Sequence, residues 1–580
     1  MAVICAVCNW IDRLASENIY NNGTSVLAHA CSRRHDWSTM RSSPTSIVFA
    51  MAFLALTPLA SAQYSSDPAT PDALVTTAND DVQTKMATAP NGDQYISYFS
   101  GVGYDVYVMR VDSTGQIVWT TQAEDRPAAL TSTTDYGMSS DSSGNVYVCY
   151  NSLDPVSGLA QFRMTSVNAS GAIRWATPLY TAADTNYGNL GNGRCVVASD
   201  GFVWAAHGVG FDSSVTRVNP TTGAVVSTIY VNEVGAKQMT AGMQPSTDGA
   251  VLLSTVRYTT NFSNKILRVR KFNADGTYAW GSAAGFAAAS QFNIQTGNFP
   301  DFISDGVGGG YLAWYTTGSL NCRMQHVDGS TGAMTFGVDG VLVATSTTAS
   351  FGGTTATVNR TNPVIVLGAD NRVYAYYKAA SSAIAGIVWY GIGAQCFDSA
   401  GVAQWDAANG VMVEDYSPAS AGVVYDRSPG AAMKLGTGVG VAYVNYASAM
   451  VGNGIAARMN TDGTVAWKSS FASDATQKYR FSASPCATGS ILAWQANAGG
   501  PSDIFAARIN SDGTVGNPAA PACIADLNND GVVNGADLGI ELAAWGICSG
   551  TPCIGDLNND GVVNGADLGI MLAAWGNCPV

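Results

Sequence analysis

Residues 106–119 read VYVMRVDSTGQIVW. Two β-type runs rich in Val, Ile and aromatic residues flank Asp112-Ser113-Thr114-Gly115. The pattern is that of a hairpin: the Asp side chain caps the turn and Gly takes the positive φ that the turn needs. The same phrase ends at Trp175 as RMTSVNASGAIRW, at Trp280 as VRKFNADGTYAW and at Trp467 as IAARMNTDGTVAW. Looser copies read VTRVNPTTGAVV, MQHVDGSTGAMTF, QCFDSAGVAQW and FAARINSDGTVG. The closing glycines fall at 115, 171, 223, 276, 332, 401, 463 and 513, a mean spacing of about 57 residues. Each hairpin follows a further β run, such as NGDQYISY from Asn91 or DGFVWAA from Asp200. Short strands in eight copies predict an all-β chain, a single eight-bladed β-propeller over residues 63–516. Immunoglobulin-like sandwiches would need about 100 residues per unit. Strands near residues 85–110 are expected to meet those near 490–515, sealing the ring without a free edge.

The rest of the composition agrees. With 63 Gly and only 12% charged residues, the chain is turn-rich rather than helical. Its net charge of −14 leaves little to neutralise phosphates, so no nucleic-acid partner is expected. No apolar run reaches the ~18 residues of a membrane span. The ten apolar residues Ile47–Leu56 follow Arg41 and precede Ala60-Ser61-Ala62, the layout of a secretory signal. The signal is expected over about 40–62, with residues 1–39 a spurious extension ahead of Met40. The protein is then secreted or at a cell surface, in an oxidising compartment that favours disulfides. Nine cysteines follow residue 62, so at least one is left without an intramolecular partner.

The V-D-S-T-G-Q-I-V-W type of phrase resembles the repeat of PQQ-like eight-bladed propellers and related bacterial repeats, over roughly residues 80–516. That resemblance implies a Trp docked between neighbouring blades. The quinoprotein dehydrogenases of the group carry a vicinal cysteine pair over their cofactor. No two cysteines are adjacent here, so no quinone is expected.

After a Pro/Ala linker at 517–522, DLNNDGVVNGADLGI occurs at 526–540 and again, unchanged, at 556–570. The first copy places oxygen ligands at Asp526, Asn528, Asp530, the Val532 carbonyl, Asn534 and Asp537, which are positions 1, 3, 5, 7, 9 and 12 of a cation loop. Gly531 holds position 6, where the loop turns sharply. The second copy gives Asp556, Asn558, Asp560, Val562, Asn564 and Asp567, with Gly561. An all-oxygen, flexible set suits calcium, one ion per loop and two in all. Helices are expected from about Ala536 to Trp545 and from Ala566 to Trp575, with Leu538, Leu542 and Trp545 along one face. A loop–helix duplicated over residues 523–580 resembles the type I dockerin domain, a small all-α calcium-binding module. The resemblance implies a cohesin-like or other surface protein as partner. Loop positions 10 and 11 are Gly535-Ala536 and Gly565-Ala566 rather than the family's hydroxyl pair.

Cys523, Cys548, Cys553 and Cys578 bracket the two copies. Pairing within a copy would span a helix of about 15 Å, beyond the ~7 Å Cα limit of a disulfide. Cys548 and Cys553 are separated by four residues, and a twofold relation would then bring Cys523 to Cys578. Those two pairs are the expected ones.

No catalytic residue is nominated. His207 and His326 are the only histidines beyond residue 62, and a lone strand histidine is more often packing than catalysis. Asp125, Asp135, Asp184, Glu233, Glu414 and Asp415 lie outside the turn pattern, with no spacing that marks a pair. Trp204, Trp314 and Trp494 read as blade packing rather than sugar platforms. The favoured function is a non-catalytic exported propeller that binds a protein or glycan and is attached through its calcium tail. A polysaccharide hydrolase or lyase is the alternative, and a structural surface protein the second.

Overall fold

The Asp112 turn forms as its residues dictate. Asp112 Oδ1 accepts from the N–H groups of Thr114 and Gln116 at 2.8 and 3.0 Å, and Gly115 lies at φ +98°. A computed structural model describes residues 64–517, apart from 262, 290–293, 296–299, 421–427 and 447–450. It also describes 523–548, 553–558 and 561–578. The leader and residues 518–522 of the linker lie outside the described residues. No described helix is long and apolar enough to cross a membrane.

Eight antiparallel sheets follow one another along the chain, and they are the blades of the propeller. Blades 1 to 7 span 82–124, 137–181, 194–231, 236–289, 301–342, 348–420 and 429–472. Blade 8 consists of 477–510 plus one strand from the other end of the chain, Asp72–Val75, paired with Asp503–Asn510. Seven blades have four strands, and blade 6 adds a fifth, Thr348–Phe351. Closure therefore differs from expectation. Residues 82–124 make a complete blade of their own, and the shorter Asp72–Val75 strand seals the ring.

The apolar faces of neighbouring sheets pack against each other. Tyr95, Phe99 and Val108 of blade 1 share a core with Val146, Val148 and Tyr150 of blade 2. Trp204, Trp314 and Trp494 are at most 2% exposed, so they belong to this packing. A second set of tryptophans clamps blade to blade. The indole N–H groups of Trp119, Trp175 and Trp405 donate to Ala169, Pro220 and Thr461 carbonyls at 3.0 Å, each in the next blade's turn. The turn glycine lies flat on the indole. At Gly463 (φ +89°) an added Cβ would stand 2.9 Å from Trp405. Gly463→Ala combines that clash with a left-handed conformation alanine resists, and is expected to cost roughly 2–4 kcal/mol. Urea unfolding of the variant checks this, and an unchanged midpoint would refute the clamp.

Blade 1's turn has no tryptophan from blade 8 beneath it. Tyr64, 2% exposed, takes the place: its N–H donates to Thr114 O at 3.0 Å, and its ring lies against Gly115. The N-terminal segment thus supplies both the last strand and the last clamp.

In the tail, helix α1 (Gly535–Ala543) and helix α2 (Gly565–Ala573) each follow one copy of the repeated loop. Both helices are shorter than expected, so Trp545 and Trp575 fall just beyond them. The tail is also not purely helical. Val532–Val533 pairs with Gly576–Asn577, and Gly546–Ile547 with Val562–Val563. Each loop is therefore strapped to the segment after the other copy's helix.

Candidate functional site

Two places gather chemistry. The first is the pair of repeated loops. Asp526 accepts from the N–H groups of Asp530 (3.1 Å) and Gly531 (2.8 Å), which wraps the backbone around its carboxylate. Gly531, at φ +85°, makes that turn. Asp530 accepts from Val532 N and from the Asn528 side-chain nitrogen, and Asn528 Oδ1 accepts from Asp530 N. Asn534 caps α1, and Asp537 completes a capping box by accepting from Asn534 N. Asp537 also accepts from Leu527 and Asn528 N–H groups, and these bonds, led by Asn534's, hold its carboxyl below the usual range. The second loop repeats the arrangement through Asp556, Asn564, Asp567 and the Val562 carbonyl. Asn558 is among the described residues, and Asp560 lies outside them.

Does the donor set suit a cation? Residues 523–580 contain seven acidic side chains and no Lys or Arg. Glu541, in α1, is fully buried, and neither carboxylate oxygen has a hydrogen-bond partner. Burial, and then the charge of Asp567, push its carboxyl up. An all-oxygen set with three carboxylates per copy, and an orphaned buried carboxylate beside it, fits a hard divalent ion. Sulfur contributes nothing. Asp526 and Asp556 each lie within 4.8 Å of two cysteine sulfurs, but those sulfurs are joined as disulfides and are not thiolate ligands.

The disulfides connect Cys523 to Cys578 and Cys548 to Cys553. Cys149, Cys195, Cys322, Cys396 and Cys486 are free thiols. By loop entropy the 55-residue Cys523–Cys578 closure stabilises by about 4 kcal/mol and the 5-residue one by about 2. Replacing Cys523 and Cys578 with Ser is therefore expected to lower the tail's unfolding midpoint more than replacing Cys548 and Cys553. The opposite order in denaturant titrations would refute it.

The expected apolar stripe of the tail divides. Leu538 is partly buried, but Leu542 and Trp545 are 51% and 49% exposed. Their equivalents Leu572 and Trp575 are 55% and 49% exposed, and Ile524 and Ile554 match at 52% and 55%. The buried face of α1 is instead set by Asp537 and Glu541, because the capping box draws Asp537 inward under the loop.

The second place is the central channel, a cavity of about 780 Å³ lined from the inner strands of all eight blades. Asp135 lies there between Lys85 and Arg194, at 2.7 Å from each. Burial raises its carboxyl, but the two cations outweigh burial and hold it well below the usual range. Asp301 is raised by burial, and its oxygens accept from Phe302 N and Ile365 N at 3.0 Å. Both acids among the described lining residues are thus engaged by protein. The inner strands also share a kink. Register slips occur between Val82 and Lys85, Thr361 and Val364, and Tyr479 and Ser482. At those bulges Gln83, Asn362 and Arg480 adopt φ of +60°, +52° and +54°, unusual for residues other than glycine. Of the channel residues the sequence singled out Asp135 alone. Lys85, Arg194, Asp301 and Arg480 carry no spacing signal.

The histidines belong to the scaffold. His326 Nε2 meets Asp305 at 3.0 Å, as Arg110 meets Asp93 and Arg217 meets Asp200 at corresponding positions of other blades. His207 is buried, stacked on Phe162, and lowered to about 4 by that burial. Glu233 is bound by Arg257, and Glu414 by Lys468 and Tyr443.

The blades and the stapled tail define an eight-bladed β-propeller followed by a small two-helix module. No protein-family model matches the chain, and no curated protein matches it. Among solved structures it is similar to the Dos1 propeller, with a TM-score of 0.41 and 10% identity over 74% of this chain and 93% of that one. A eukaryotic initiation factor gives 0.38 and 12% over 77% and 89%. The alpha-L-arabinanase of Penicillium chrysogenum, complexed with arabinobiose, gives 0.32 and 10% over 65% and 93%.

Proposed function

We propose that this chain is an exported, non-catalytic binding protein whose propeller takes a glycan in its channel and whose calcium-loaded tail attaches it to a surface or complex. The tail is read as dockerin-like, with two calcium ions held by Asp526, Asn528, Asp530, Val532, Asn534 and Asp537, and by their second-copy counterparts, Asp560 included. When bound, the ions neutralise the converging carboxylates; the chain's own part is to wrap each loop through the Asp526 and Asp556 backbone bonds.

The observation that carries the reading is the matched exposure of Leu542 with Leu572, Trp545 with Trp575 and Ile524 with Ile554. A duplicated apolar surface on a domain of this size suits a protein partner of cohesin type, which can meet either copy. For the channel, a polar lining with its acids already engaged favours binding over hydrolysis, which needs a free acid and a free carboxylate.

The enzyme reading stays as an outcome of the test. Full-length protein is incubated with a panel of immobilised polysaccharides in calcium, and both retention and new reducing ends are measured. Retention without reducing ends supports binding. New reducing ends would replace it with a hydrolase or lyase, and retention by no polysaccharide would remove the glycan.

A further inference from the structure

Among the described residues, the channel's charges do not balance. Lys85 and Arg194 both serve Asp135, and Asp301 is held by two backbone N–H groups. Arg480 has no acidic partner among the described residues. With the Gln83 amide oriented to suit its neighbours, its nitrogen donates to Thr134 O (3.0 Å) and its oxygen accepts from Arg480 at 3.2 Å. That bond engages one of the five N–H donors of the guanidinium, and the side chain is otherwise open to the channel. Among the described lining residues, three cations against two carboxylates leave one positive charge in the channel of a protein whose net charge is −14.

The lining has a gap next to this charge. Around the ring, side chains of the inner strands tie one blade to the next: Arg194 to the Ala241 carbonyl, Gln244 to the Phe302 carbonyl, Asn362 to Ser428. Among the described residues, blade 7 contributes only Pro429, Gly430, Ala431 and Ala432 there. Gly430 is bare because the Phe481 ring lies on it; an added Cβ would stand 2.3 Å from that ring. Between blades 7 and 8, then, an apolar, side-chain-poor floor adjoins an open guanidinium. The left-handed conformation of Arg480 is the kind of local strain that persists where surrounding structure enforces it, often at ligand sites.

We infer that this sector of the channel binds an acidic sugar, the carboxylate of a uronic acid residue being taken by the Arg480 fork and its ring lying over Gly430 and Phe481. A guanidinium matches a carboxylate in two parallel hydrogen bonds, which fixes orientation as well as charge. A ring with one apolar face suits the floor, and Asn362 offers an amide to its hydroxyls. One negative group neutralises the excess charge, so a uronate is favoured over a neutral sugar. This deepens the glycan reading above and rests on it.

The test is titration calorimetry of full-length protein, in calcium, with trigalacturonate and with the same trisaccharide after reduction of its carboxyls to alcohols. Wild type is expected to bind the acid form at least tenfold tighter. Arg480→Gln, a substitution of an exposed side chain, should lose that preference, and Arg480→Lys, a point charge without the fork, should keep only part of it. Added salt should weaken the acid form alone. Equal binding of both forms, or an unaltered preference in Arg480→Gln, would overturn the inference while leaving a glycan-binding propeller in place. Binding of neither form, with no other polysaccharide retained in the panel, would overturn both.

Discussion

Removing calcium from the full-length protein is expected to make residues 523–578 sensitive to protease while the propeller stays resistant. The tail has seven carboxylates and no basic side chain to oppose them. It also has a small core of Ala525, Val533, Leu557 and Met571, with one carboxylate, Glu541, buried beside it. At millimolar calcium and a micromolar Kd, each ion contributes about 4 kcal/mol to the folded state, a large part of what a domain this size has. Asp526→Ala and Asp556→Ala should each abolish one ion, seen as one calcium per chain rather than two by atomic absorption. Because each loop is strapped to the segment after the other helix, losing either ion should loosen both copies together. The disulfides remain closed throughout, so persistence of the staples does not answer the question. A chelated tail as resistant as the loaded one would defeat the calcium reading.

Deleting residues 64–75 should have the second large effect, on the propeller. The deletion strips Asp503–Asn510 of its outer partner and removes the Tyr64 clamp from the Gly115 turn. Tyr64 and Leu74 are buried at 2% and 9% exposure, and losing two such side chains costs roughly 4–6 kcal/mol before the opened ring is counted. An unpaired strand edge also invites pairing between molecules. The truncated protein should unfold at a lower denaturant concentration and elute as oligomers. Tyr64→Ala alone, which keeps the strand, should be destabilised by about 3 kcal/mol and remain monomeric. A monomeric truncation with an unshifted midpoint would mean that the ring does not depend on its N-terminal seal.

The sequence was legible where chemistry repeats. Asp–Gly turns and the tryptophans after several of them mark the two middle strands of each blade, because every copy must make the same turn and fill the same slot beneath the next one. The innermost strands were missed. Stretches such as Val82–Thr88, Pro429–Leu435 and Gln477–Cys486 line the channel, and their bulges break the two-residue alternation that identifies a strand. Lys85, Arg194 and Arg480 are therefore invisible until the ring brings them together. The sealing strand DALV was hidden for another reason: four residues after Pro68 and Pro71 carry too little pattern. In the tail, ligand spacing was readable but the buried face was not, since helical periodicity nominates Leu542 and Trp545 while the capping box turns Asp537 and Glu541 inward.

The seal at blade 8 also sets a schedule. Asp72–Val75 is among the first propeller segments to be synthesised, and its partner Asp503–Asn510 is the last. More than 400 residues separate bonded groups such as Ser502 and Asp80. Holding such distant segments together costs roughly 5 kcal/mol in chain entropy, recovered only when the intervening blades are in place. A growing chain can form hairpins and stack early blades, yet it cannot complete the circle until nearly the whole propeller has emerged. Folding should accordingly end in one slow, late step, and a chain halted before residue 503 should remain an open arc with both end blades uncovered.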